Sequence, residues 1–166
     1  MFSNLKLYNI DLSWCGISSI EDGAFDSYPD IRHLYIAGNS LGPRKYELFK
    51  KAGSGYLLGG LSISFTAMLS DDQNRYDISP ILTRSPYISE LLMRGNMIQT
   101  LPKLVPTSLD NIAAGHVIYY AIKTLDLNDN SLISLSNRAT SELCSAMPNL
   151  ETFQAANNNI KDVTGL

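Results

Sequence analysis

The eleven residues Ile122 to Leu132 read IKTLDLNDNSL, with apolar side chains at Ile122, Leu125, Leu127 and Leu132 and an asparagine at Asn130. The same layout returns as IRHLYIAGNSL (Ile31, Leu34, Ile36, Asn39, Leu41), as ISELLMRGNMI (Ile88, Leu91, Met93, Asn96, Ile98) and as LETFQAANNNI (Leu150, Phe153, Ala155, Asn158, Ile160). In LYNIDLSWCGI (Leu7, Ile10, Leu12, Ile17), Cys15 stands in the asparagine place. A degenerate sixth copy, LGGLSISFTAM, carries Leu58, Leu61, Ile63 and Met68, with Thr66 at the marker. The markers Cys15, Asn39, Thr66, Asn96, Asn130 and Asn158 are then spaced by 24, 27, 30, 34 and 28 residues. A recurring period of this size constrains the fold more than any local propensity, because it requires a stack of similar units.

Each copy alternates apolar and polar residues at its centre, so one set of side chains turns inward and the other outward. One copy cannot bury its inward leucines alone. Stacking does so, and the strands then form a parallel sheet. The asparagine amide carries donors and an acceptor that can satisfy turn backbone in neighbouring copies, which Cys or Thr can do only in part.

The pattern L-x-x-L-x-L-x-x-N/C-x-L resembles the leucine-rich-repeat family, over about Phe2 to Val163. The resemblance implies an α/β solenoid, curved, with parallel strands on the concave face and loops and short helices on the convex face. It implies one domain, 1–166, of about six repeats. The return segment Ile17 to Ile31, with Phe25 and Tyr28 inward, is similar to a form common in extracellular members. Short convex-side helices are expected over Thr107 to Tyr120 and over Ser141 to Met147, the latter stopped by Pro148. Phe2 and Leu5 match the return half of an earlier repeat, and no cap pattern stands at either end, so a piece of a longer array is expected.

Other readings of the same residues are weaker. Asp126, Asn128 and Asn130 have the spacing of a calcium loop, but the sixth and twelfth positions are Ser131 and Asn137 instead of Gly and Glu. The repeat explains that stretch, leaving Asp126, Asn128 and Asp129 facing outward. The uncharged run Ala52 to Ser70 is rich in Gly and Ser, and is read as a buried repeat instead of a membrane span. The net charge is −3, and the only basic cluster, Arg44-Lys45 with Lys50-Lys51, reads as a solvated face, so no nucleic-acid partner is expected. His33 and His116 are isolated. Cys15 and Cys144 lie four strand spacings apart, roughly 19 Å, too far to bridge; Cys15, at a marker, is expected to be buried. No catalytic motif appears, GSGYLLGG lacks the lysine of a phosphate loop, and neither cofactor nor metal is expected.

The function implied by the resemblance is protein–protein interaction through the concave face, in a receptor or adhesion-type ectodomain in signalling, extracellular or at the cell surface. No asparagine heads an N-x-[ST] sequon, and the alternative is a cytoplasmic scaffold, or a regulatory array controlling an attached domain. Six strands about 4.8 Å apart give a face roughly 24 Å wide, enough for one helix or loop of a partner. Aligning the units places Asp11, Tyr35, Ser62, Leu92, Asp126 and Gln154 in one exposed column. Trp14, Gly38, Phe65, Gly95, Asp129 and Asn157 fall at the strand ends. The expected partner-binding residues are Asp11, Trp14, Tyr35, Phe65, Leu92 and Arg94 as the anchoring patch, with Asp126 and Asp129 as its polar rim.

Overall fold

The computed structural model describes residues 6–42, 47–51, 53–67, 82, 84–101 and 121–163, without the side chains of 137–139 and 142. The centre of each copy forms a three-residue strand. These are β1 (Asn9–Asp11), β2 (His33–Tyr35), β3 (Gly60–Ser62), β4 (Glu90–Leu92) and β5 (Thr124–Asp126). A short β6 (Ser134–Leu135) and a helix α1 (Asn137–Ala146) follow, then β7 (Thr152–Gln154) and β8 (Asp162–Val163). The sheet is parallel, in the order β1-β2-β3-β4-β5-β7. The pair β6-β8 makes a second, two-stranded parallel sheet on the return side of the last two turns.

The inward residues build one continuous core. Leu34 and Ile36, Leu61 and Ile63, Leu91 and Met93, and Leu125 and Leu127 stack copy upon copy, all fully buried. Burial of each such side chain stabilises by about 1.5–3 kcal/mol. The degenerate copy is as buried as the others, since Leu58, Leu61, Ile63 and Thr66 all lie inside. The uncharged run around β3 is therefore the centre of the stack, and no helix among the described residues is long and apolar enough to cross a membrane. On the return side Phe25 is buried against Phe49, with ring centroids 6.1 Å apart, and Tyr28 packs on the same core.

The marker asparagines bind each unit to the one before it. Asn96 Nδ2 donates to the carbonyl of Ile63 at 2.9 Å, and its Oδ1 accepts from the N–H groups of Thr66 and Ala67. Asn130 repeats this, donating to Met93 and Leu127 and accepting from Asn96 and Ile98. Asn39 and Asn158 likewise reach the carbonyls of Leu12 and Leu127. Buried backbone groups of the turns are thus satisfied by side chains of the following unit. Thr66 donates to Ile63, the carbonyl of its own turn, at 2.8 Å. A hydroxyl has one proton where an amide has two, so the same residue cannot also donate backwards.

The expected burial of Cys15 is corrected by this direction of bonding. Each marker is covered by packing against the unit before it, and among the described residues no unit precedes β1, so Cys15 is exposed. Its Sγ is 3.5 Å from the carbonyl of Ser13. Cys144 is also free and exposed.

The helix α1 is longer than expected, starting at Asn137 instead of Ser141. Its first turn lacks apolar periodicity and so gave no signal. Thr140, Leu143, Ala146 and Met147 form its buried face, and Met147 N–H closes the last turn on Leu143. The helix expected over Thr107 to Tyr120 lies outside the described residues, as do Phe2, Leu5, Arg44, Lys45, Met68 and His116.

Candidate binding face

The strand register fixes which outward residues are neighbours. Asp11, Tyr35, Ser62, Leu92, Asp126 and Gln154 pair across successive strands, as do Asn9, His33, Gly60, Glu90, Thr124 and Thr152 two residues earlier. The column is not uniformly exposed. Asp11 and Gln154 are open, Tyr35 and Leu92 are half-buried, and Ser62 and Asp126 are buried.

The register keeps Asp126 in the outward column, but its burial, 8% exposed, corrects its expected exposure. Its Oδ1 turns back to accept the N–H of Asn128 at 2.8 Å, which folds the side chain onto its own turn. Asp11 makes the equivalent bond to the N–H of Ser13 at 2.9 Å. Asp11 lies on the edge strand and stays open, whereas Asp126 has Leu92 and Gln154 on either side. The Ser13 N–H holds the Asp11 carboxyl below its usual range, with the Ser13 side chain adding to this.

The strand-end row shares one backbone conformation. Trp14, Gly38, Phe65, Gly95, Asp129 and Asn157 all have positive φ, between 55° and 67°. Five of them donate their N–H to the next unit, as Trp14 does to Ala37 and Phe65 to Arg94. Glycine, Asp and Asn enter this region readily; a bulky residue is costly there, by about 1–3 kcal/mol.

Trp14 and Phe65 nevertheless stand there, 72% and 42% exposed. Their ring centroids are 6.0 Å apart, although a whole unit separates them. Gly38 makes this possible, because the Trp14 indole lies directly on it; Phe65 covers Gly95 in the same way. Met97, one residue past its marker, is also exposed and at positive φ.

Beyond Gly95 the rim turns polar. Arg94 Nε bonds Asp129 Oδ2 at 2.6 Å, and Asn157 Nδ2 donates to Asp129 Oδ1 at 2.7 Å. The Asn157 and Arg94 bonds together hold the Asp129 carboxyl below its usual range. Asn128 joins the network through Gln154 and the N–H of Ala156, so it too is only half-open.

The expected site residues therefore fall into separate groups. Trp14 meets Phe65, and Arg94 meets Asp129. Tyr35 pairs instead with His33, stacked at 6.2 Å with a 14° angle between planes. His33 and Glu90 were not singled out from sequence, though the same alignment shifted two residues upstream finds both. The His33 ring leans over Gly60, where a β-carbon would be 2.7 Å from its Cδ2. Among the described residues no group of three or more His, Cys, Asp or Glu side chains is arranged to hold a metal ion.

No family model matches the chain, and no curated protein matches it. Among solved structures it is similar to human 5T4, described as Wnt-activated inhibitory factor 1 and trophoblast glycoprotein, with a TM-score of 0.52 and 18% identity. The likeness covers 90% of this chain and 58% of that one, so the chain spans under two thirds of its neighbour's length. It is a likeness of fold.

Proposed function

We propose that this chain, a leucine-rich-repeat solenoid, is a protein-recognition module that binds another protein or peptide across its concave sheet and the aromatic rim beside it. The observation that carries this reading is Trp14, 72% exposed in a backbone conformation that a large side chain enters at a cost. Glycine serves the same turn at Gly38 and Gly95, so the fold does not require an aromatic there. Exposed aromatic anchors are the commonest source of binding energy at interfaces. Asp11, Tyr35, Phe65, Leu92 and Arg94 extend the surface, with Asp129 at its polar end; Asp126, folded onto its turn, contributes charge more than contact. The setting we assign is a receptor or adhesion-type ectodomain at the cell surface, in keeping with the Phe25-containing return segment.

The test separates binding from packing. Trp14→Ala and Tyr35→Ala are each expected to weaken partner binding by about 2 kcal/mol while the unfolding temperature stays nearly unchanged. A variant that unfolds early instead, as when a core aromatic is truncated, assigns the aromatic rim to packing.

One observation favours an intracellular array as second reading. Cys15 and Cys144 are both free and exposed, a state that persists most easily in a reducing compartment. Labelling of intact cells with an impermeant amine reagent decides between the two, since only a surface protein is modified.

A further inference from the structure

The concave sheet has a low strip at its centre. The outward residues of strand β3 are Gly60 and Ser62, followed two residues past its end by Ser64, all buried beneath longer neighbours. His33 and Tyr35 rise on the β2 side, and Glu90 rises on the β4 side. His33 Nε2 and Glu90 Oε2 each approach to 3.6 Å from the point where a Gly60 β-carbon would be. Asp11 stands beside Tyr35 on β1, in register with it.

The charges here are unbalanced. Three cations of the described residues are engaged elsewhere: Arg94 with Asp129, Lys123 with Glu151, and Arg32 over the Tyr8 ring at 5.2 Å. Among the described residues no cation pairs with Asp11 or Glu90. Desolvation, then the charges of Glu90 and Asp11, push the Tyr35 hydroxyl above its usual range. His33 Nδ1 is taken up by Asn9 Oδ1 at 2.9 Å. When Nδ1 carries the proton of the neutral ring, Nε2 is left as an acceptor toward the strip.

We propose that the strip above β3, between Tyr35 and Glu90 with Asp11 beside it, is a seat for an arginine side chain of the protein partner. The guanidinium would lie against the stacked Tyr35 and His33 rings, donate to Glu90, and lie in the field of Asp11. A planar cation with several donors suits an aromatic face flanked by carboxylates and a free imidazole nitrogen. This inference rests on the concave-face reading above and adds the chemistry of the partner.

The experiment uses peptides selected against the whole folded chain from a random displayed library. Each is remade with its arginines replaced by citrulline, which is isosteric and uncharged. Dissociation constants are measured for the unaltered chain and for Trp14→Ala, Tyr35→Phe, Tyr35→Ala, Glu90→Gln, Asp11→Asn and, as control, Glu151→Gln. Seating of arginine predicts at least about a tenfold loss on citrulline replacement and about three- to fivefold losses for Glu90→Gln and for Tyr35→Ala. Tyr35→Phe, which keeps the ring, should bind nearly as well, Glu151→Gln should change nothing, and added salt should weaken binding. Binding that depends on Trp14 and Tyr35 but is indifferent to citrulline and to Glu90→Gln overturns the arginine seat and leaves the concave face standing. Binding indifferent to every face variant overturns both.

Discussion

The indole of Trp14 rests on the α-carbon of Gly38, where a β-carbon would come within 2.2 Å of Trp14 Cδ2. The same relation joins Phe65 to Gly95, so aromatic and glycine alternate over four successive units, with the two rings 6.0 Å apart. Each glycine supplies both the positive φ its turn needs and the space its neighbour's ring occupies.

Gly38→Ala should therefore be costly twice over. Its φ of +67° strains any side chain, and the methyl group would displace the indole. The expected loss is about 1–3 kcal/mol of stability, with a shift in the fluorescence of Trp14, the only tryptophan. Ala at Gly42, whose φ is +70° with open space around it, isolates the backbone part. Equal losses at both positions, with unshifted fluorescence, would show that the indole does not rest there.

The asparagine ladder makes two opposite predictions. Asn96→Ala removes the oxygen to which the N–H groups of Thr66 and Ala67 donate, and one of the two donors on the carbonyl of Ile63, which keeps only the Thr66 hydroxyl. A loss of about 3 kcal/mol is expected. Thr66→Asn restores the second donor and should gain about 1 kcal/mol. Denaturant unfolding measures both; a destabilised Thr66→Asn chain would mean that the degenerate copy has repacked around its hydroxyl.

Both thiols should react with iodoacetamide in the folded chain at rates near that of a free cysteine, since Cys15 and Cys144 are exposed. Mass spectrometry of the native protein after brief labelling should find two adducts. Slow labelling of Cys15 alone would indicate that its turn is covered.

Asp26 should shape the acid limb of stability. Burial opposes ionisation there, but the N–H groups of Lys50 at 2.8 Å and Lys51 at 2.9 Å outweigh it and hold the carboxyl below its ordinary range. A carboxyl depressed in the folded state favours folding above its unfolded value of about 3.9, and that contribution is lost as pH falls through the lower folded value. Asp26→Asn should then be less stable than the parent at pH 7, and the difference should shrink below about pH 4. A difference constant from pH 7 to pH 2.5 would contradict this.

What the sequence by itself determined is the inward half of the molecule. Leu34, Leu61, Leu91 and Leu125 are legible because every unit repeats the same neighbours, so local spacing already states the tertiary contact. For the same reason Thr66 could be assigned to a marker despite its chemistry, and its single donor follows from the hydroxyl alone. The outward half was decided only by the tertiary structure. Asp11 and Asp126 hold the same place and make the same turn bond, yet one is open and the other covered, because burial depends on what flanks the strand on both sides. Cys15 and Asn39 share a marker position, yet only Asn39 has a described unit on which to stack. The meeting of Trp14 with Phe65 needed Gly38 between them, and the approach of His33 and Glu90 needed Gly60 between their strands. Side-chain reach across a sheet is set by the sizes of neighbours about 4.8 Å away in space, which in this chain lie 24 to 34 residues away in sequence.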